Sequence, residues 1–228
     1  MASCAPIGNR RIARLVKKKG DSMRIGIVGV GHLGATIARL LTKAGHEVAL
    51  NNSRGPESLA LLVQELGPAA RAVTFDAAAR YGDVTVLAIP WTSRETLSDP
   101  RLFAHKILID AMNPFSARFE VLDLGQSTSS ELVAQQFPHA RVVKAFNTLY
   151  WETLATRGTK HVAHRFILPL ASDDLAAKAT VSGLISDCGF APFDVGTLRD
   201  GGEWQQPKKL LFNRPLTLRE AEQLLTSR

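Results

Sequence analysis

The chain has 228 residues, 45% of them apolar and 21% charged, with a net charge of +7. That length and balance suit a soluble globular body with a sizeable core. No run approaches the 18 apolar residues of a membrane span, and two cysteines, Cys4 and Cys188, make no disulfide framework.

Most of the charge is local. Arg10, Arg11, Arg14, Lys17, Lys18 and Lys19 against Asp21 give residues 1–22 a charge of +5 and leave +2 for the rest, which argues against nucleic-acid binding by the folded body. The segment lacks the apolar stretch of a secretory signal. It reads as a basic arm, a mitochondrial-type presequence or an upstream extension of the reading frame. The last is favoured because Met23 stands directly before the first strand, and disorder is expected in each case. The cysteine usage points to a reducing, cytoplasmic location.

Residues 24–29, RIGIVG, form a short apolar strand ending in glycine. The helix after it sets Leu33, Ile37, Leu40 and Leu41 on one face and stops at Gly45. Residues 46–51 are a second strand. Residues 55–67 read as a helix, with Pro56 suited to its first turn and Leu59, Leu62, Val63 and Leu66 at helical spacing. Residues 83–90 and 106–111 are nearly continuous apolar strands, as in a parallel sheet covered on both faces. A capping box, Thr128 to Glu131, opens a helix over 128–137, and 141–146 is another strand. Residues 165–172, 173–187 and 190–196 make one more strand–helix–strand unit. Residues 198–215 read as an irregular loop, and a second capping box, Thr217 to Glu220, opens a last helix. The alternation predicts an α/β fold: a Rossmann-type, doubly wound, mostly parallel sheet with the extra strand–helix–strand unit and a C-terminal helix.

Gly29-Val30-Gly31-His32-Leu33-Gly34 fits G-x-G-x-x-G in the one context that gives the motif meaning, after a strand and at the start of a helix. Gly29 permits a tight turn, Gly31 a close approach of backbone to a pyrophosphate, and Gly34 close helix–strand packing. His32 and Leu33 lie inside the turn. An NAD site ends its second strand in an acid that holds the ribose hydroxyls; this strand ends in Asn51-Asn52-Ser53-Arg54. Nothing there repels a 2′-phosphate, while Ser53 offers a hydroxyl and Arg54 a two-pronged donor. The expected cofactor is NADP.

Ligands of such a sheet lie outside the carboxyl ends of its strands. Those ends carry Ile89, Pro90 and Trp91, then Asn113, then Asn147, Thr148 and Leu149, as candidate contacts to the nicotinamide end. Each polar member is equally a turn former. No nucleophile–base pair, metal-ligand cluster or Ser/His/Asp arrangement is present, so no catalytic side chain and no metal site is assigned. His105, His139, His161 and His164 read as loop or surface residues and His46 as a strand start.

The glycine turn, Asn52-Ser53-Arg54-Gly55-Pro56, Ala88-Ile89-Pro90-Trp91, Asp110-Ala111-Met112-Asn113-Pro114 and VVKAFNT (142–148) resemble the family of NADPH-dependent F420 reductases over about residues 23–198. The resemblance implies hydride transfer between NADP(H) and coenzyme F420, a deazaflavin stacked on the nicotinamide, and a dimer. Such a transfer needs alignment more than an acid or base. The chain departs from the family where deazaflavin reductases carry histidine and this chain has Asn147, and again after residue 198. A flavin, a quinone or a small carbonyl compound therefore stays open as acceptor, as does a non-catalytic NADP-sensing module. A hydroxyacid dehydrogenase or imine reductase fits less well, because 81 residues follow Asn147 and many read strand–helix–strand. The expected organisation is a basic extension at 1–22, an NADP-binding domain at 23–198, and a loop and helix at 199–228 packed on it. Neither nucleic acid nor membrane is an expected partner.

Overall fold

The computed structural model describes residues 22–97 and 99–226, so the disorder expected of the basic extension and the placement of Cys4 lie outside the described residues. Six strands form one parallel sheet in the order β3-β2-β1-β4-β5-β6. They are β1 (Arg24–Val28), β2 (Glu47–Asn51), β3 (Ala70–Ala72), β4 (Val84–Leu87), β5 (Ile107–Asp110) and β6 (Arg141–Lys144). The order reverses between β1 and β4, whose registers pair Ile25 with Val84 and Val28 with Leu87. The expected doubly wound sheet is present.

Successive side chains of a strand face opposite layers, and the core divides accordingly. Ile25, Ile27, Val86, Ile109 and Val143 pack with Ile37 and Leu41 of α1 (His32–Lys43), Leu154 of α5 (Trp151–Arg157) and Val181 and Ile185 of α6 (Leu175–Asp187). Val28, Leu87, Leu108 and Val142 join the opposite layer, with Ala78 and Ala79 of α3 (Phe75–Arg80), Val133 of α4 (Ser129–Gln136), Phe103 and Phe137. Strands buried on both faces explain why 83–90 and 106–111 read as unbroken apolar runs.

The extra unit forms its own two-stranded parallel sheet, β7 (Ile167–Leu170) and β8 (Ala191–Asp194). An antiparallel bridge between Lys144 and Ala171 ties it to β6. The capping box of α4 is complete: the Thr128 hydroxyl accepts from the Glu131 N–H, and the Glu131 carboxylate accepts from the Thr128 N–H. The second box opens α8 (Leu218–Thr226) in the same way.

Several elements differ from the sequence reading. The helix expected over 55–67 is a short 3-10 turn, Pro56–Leu59, followed by α2, Ala60–Leu66. β3 has three residues, two of them alanine, and is a strand because β2 offers it an edge. α3 and α5 are too short to show a period. The loop expected over 198–215 contains α7, Asp200–Gln205, in the sequence DGGEWQ. Its two glycines lower helix propensity, but contacts require them. A Cβ on Gly201 would stand 2.5 Å from the Val195 carbonyl oxygen.

Candidate functional site

The glycine turn sits where β1 meets α1 at the reversal of strand order. Gly29 has φ +95°, a left-handed conformation that other residues rarely adopt, and a Cβ there would meet the Ala88 carbonyl oxygen at 2.6 Å. Its N–H donates to the Asn51 carbonyl at 2.9 Å, locking the turn onto the tip of β2. A Cβ on Gly34 would stand 2.0 Å from the Gly29 carbonyl oxygen, so α1 lies against the turn only because that position is bare. Gly31 differs: a Cβ there would meet nothing within 4 Å. Its outer side is open to a ligand.

The start of α1 has no side-chain cap and no acid in its first turn. The first N–H groups of a helix have no partner within it and carry a partial positive charge. A diphosphate fits that environment. Exposed His32 stacks on Trp151 at the start of α5, with ring centroids 4.7 Å apart and an interplanar angle of 18°. Leu33 is half-buried in the same turn.

At the tip of β2 the side chain of Asn52 organises the next turn. Its amide donates to the Ser58 hydroxyl at 2.9 Å, and its carbonyl accepts from the Arg54 N–H at 3.0 Å. Ser53 and Arg54 are left exposed beyond it. Arg54 lines an open groove of about 310 Å³ with Ser58, Val30, Ala35, Leu59 and Leu62, bounded by Arg39 and Glu65. Arg39 and Glu65 spend their charges on each other in a bidentate pair at 2.6 and 2.7 Å. That pair raises the arginine pKa and lowers the glutamate pKa, chiefly through the hydrogen bonds between them. Arg54 makes no ion pair among the described residues.

The other candidates gather at the carboxyl ends of β4, β5 and β6. Ile89 is half-buried, Pro90 exposed and Trp91 buried, with the Arg94 guanidinium 4.1 Å above the indole ring. Asn113 and Asn147 bond to each other. The Asn113 amide donates to the Asn147 backbone carbonyl at 2.9 Å, and the Asn147 amide donates to Asn113 Oδ1 at 3.0 Å. Phe146 makes this possible by taking φ +63°, unusual for a bulky buried residue, which swings the chain off the end of β6. Thr148 and Leu149 are buried behind Asn147.

Beneath these tips lies a buried ion pair. Lys144 Nζ stands 3.1 Å from Asp110 Oδ2 and donates also to the Met112 carbonyl and Ser129 Oγ. Asp110 accepts further from the Met112 N–H at 3.0 Å and Ser130 Oγ at 2.9 Å. Burial lowers the Lys144 pKa, against the pull of Asp110. Both charges are consumed in holding the turn that carries Asn113. Among the described residues, no group of three or more His, Cys, Asp or Glu side chains is arranged to hold a metal ion. His105, His139, His161 and His164 are exposed, and His46 directly precedes β2.

Three residues at this site escaped the sequence reading. Trp151 opens a helix too short to show a period. Ser58 belongs to the turn that Asn52 organises. Gln205 lies in the segment taken for loop, and its backbone carbonyl accepts from the Asn147 amide at 3.0 Å. The C-terminal segment reaches the strand tips at other points too: the Asn213 N–H donates to the Thr148 carbonyl, and Phe212 meets Phe115 edge-on at 6.4 Å.

The family model described as "NADP oxidoreductase coenzyme F420-dependent" matches residues 24–114. The crystal structure of a hypothetical protein, SMa0349 from Sinorhizobium meliloti, is 35% identical, with a TM-score of 0.77 over 86% of this chain and 96% of that one. A protein named as an F420-dependent NADP reductase from Arthrobacter sp. FB24 is 25% identical, with a TM-score of 0.68 over 90% of this chain and 91% of that one. The metalloreductase STEAP3 of Rattus norvegicus is 32% identical over 215 residues, 90% of this chain, which spans 41% of that relative's length. No helix among the described residues is long and apolar enough to cross a membrane. With its glycine turn inside the matched span and a solved relative covered almost end to end, the chain belongs to the NADP oxidoreductase, coenzyme F420-dependent, family.

Proposed function

We propose that the chain transfers a hydride between NADP(H) and a deazaflavin-type acceptor, coenzyme F420. The observation that carries the cofactor half is the open Gly31 turn at the uncapped start of α1, with unpaired Arg54 standing beside it. Gly29, Gly31, His32, Leu33 and Gly34 would hold the diphosphate, and Asn52, Ser53 and Arg54 the 2′-phosphate. Ile89, Pro90, Trp91, Asn113, Asn147, Thr148 and Leu149 would frame the nicotinamide. The nicotinamide supplies the hydride when bound. The protein's part is to bind, align and shield, which suits a mouth whose buried acid and base neutralise each other.

A second reading changes the acceptor to a flavin, a quinone or a small carbonyl compound. It is favoured by Asn147, buried against Gln205 where deazaflavin reductases carry histidine.

The cofactor half is tested with Arg54→Ala. Loss of a charged hydrogen bond to phosphate should weaken NADPH binding roughly tenfold to a hundredfold and leave NADH within about twofold. Equal effects on the two cofactors would remove the 2′-phosphate assignment. The acceptor is tested by following NADPH oxidation with F420, FMN and a quinone in parallel. Turnover with FMN and none with F420 would transfer the proposal to the second reading. Tight NADPH binding with no turnover on any acceptor would leave a sensor.

A further inference from the structure

We propose that Asn147, Thr148 and Gln205 read the carboxamide of a nicotinamide ring, and that Gln205, together with Asn147, tells a primary amide from a ketone. The inference rests on the NADP(H) reading above and adds a residue from the C-terminal segment to that site.

All three side chains are nearly inaccessible: Asn147 is 3% exposed, Thr148 1% and Gln205 0%. Each nevertheless holds an oxygen with no hydrogen-bond partner, namely Asn147 Oδ1, Thr148 Oγ1 and Gln205 Oε1. The Asn147 amide is oriented by its neighbours, since its nitrogen donates both to Asn113 Oδ1 and to the Gln205 backbone carbonyl. The nitrogen of Gln205 donates to the Gly201 carbonyl at 3.4 Å. In each amide the oxygen is therefore the atom left over. Buried polar atoms in folded proteins are nearly always partnered, because an unpartnered one has lost its water and gained nothing. Here three such atoms belong to two chain neighbours and to a residue bonded to one of them.

The chemistry of the three atoms selects a complement. An amide oxygen only accepts, and a hydroxyl both donates and accepts. Two acceptors and one hydroxyl match a group with two N–H donors and a carbonyl, which is a primary carboxamide. The location matches too. Asn147 and Thr148 follow β6 at its carboxyl end, the side on which a doubly wound sheet binds its ligand. The left-handed Phe146 sets the backbone course into them. α7 carries Gln205 to that same end and is anchored there, with Gly202 against Thr128 and Gly201 against Val195. A trapped water also has two donors, and the experiment separates the two occupants.

Binding of three ligands to the full chain is measured by calorimetry: NADP⁺, its 3-acetylpyridine analogue and 2′,5′-ADP. The analogue keeps the carbonyl and lacks both N–H donors, while 2′,5′-ADP has no nicotinamide. The wild-type protein should bind NADP⁺ about tenfold more tightly than the analogue. Gln205→Met should narrow that ratio to about threefold, because Asn147 Oδ1 still accepts from the other N–H, and leave the analogue and 2′,5′-ADP unchanged. Thr148→Val should weaken NADP⁺ and the analogue alike, by roughly fivefold, because the carbonyl it serves is common to both. The inference is overturned if Gln205→Met leaves the ratio of NADP⁺ to analogue as in wild type, the result a trapped water would give. It is overturned equally if that variant weakens 2′,5′-ADP as much as NADP⁺, which marks a structural residue. Failure of the wild-type protein to bind either NADP⁺ or 2′,5′-ADP would overturn the NADP(H) reading and this inference with it.

Discussion

Lys144 and Asp110 show how a single residue pair can look functional in sequence and act structurally. Both lie inside stretches that resemble the family, at the tips of the two strands nearest the mouth. Both are fully buried, and apart from their mutual ion pair every side-chain bond they make is to the turn after β5 or the start of α4. Removing one charge strands the other. Lys144→Met should therefore destabilise the protein by roughly 3–5 kcal/mol, because Asp110 is left in the core without its counter-charge. Adding Asp110→Asn should restore most of that loss, since the asparagine still accepts from the Met112 N–H and carries no charge. Urea unfolding of wild type, single and double variants gives the cycle. A double variant no more stable than Lys144→Met would show that the pair matters through its hydrogen bonds and not its charge. Arg54 is the contrasting case: it makes no ion pair among the described residues, and its proposed role rests on a position beside the glycine turn that the motif fixes.

At the scale of elements, α4 was legible to the residue, since a capping box is a local pattern. What the pattern does not reveal is the second use of its threonine. Thr128 Oγ1 accepts from the Glu131 N–H and also donates to the Leu198 carbonyl at 2.9 Å, 70 residues later in the chain. The helix cap is thus also the fastening of the segment that leads into α7. Thr128→Ala should cost about 1.5–3 kcal/mol, the sum of a lost cap and a lost buried hydrogen bond, against about 1 kcal/mol for a cap alone. Thr217→Ala, whose hydroxyl bonds only within its own exposed box, should fall at that lower value. Equal losses in thermal or urea unfolding would mean that the Leu198 contact adds nothing. The elements that sequence missed share one cause. β3, α3, α5 and α7 have three to seven residues each, too few for a period to emerge, and exist because longer neighbours give them edges and faces. The core strands, four or five residues long but nearly unbroken in apolar residues, and the twelve-residue α1 carry their own pattern and were read directly.

At the scale of the molecule the two ends of the candidate site differ in how local they are. The proposed diphosphate and 2′-phosphate end would be built from residues 29–35 and 51–59, one strand–helix–strand unit inside the span that the family model matches. Its chemistry is readable because everything it needs is close in sequence. The proposed nicotinamide end would draw on the turns after β4, β5 and β6 and on residues 201–213, which only the closed fold brings together. No spacing rule connects Asn113, Asn147 and Gln205, which is why Gln205 escaped notice. The division predicts two separable footprints in hydrogen exchange. Saturating 2′,5′-ADP should protect amides in 29–35 and 51–59 and leave 145–150 and 201–213 as in the free protein. NADP⁺ at equal saturation should add protection at both of those later segments, because the ring would bind where the Asn147 amide and the Gln205 carbonyl already meet. Protection at 145–150 without any at 201–213 would place the ring against β6 alone and detach α7 from the site. Identical footprints for the two ligands would mean that the nicotinamide end is not held by these strand tips at all, and the acceptor would then have to be sought elsewhere on the surface.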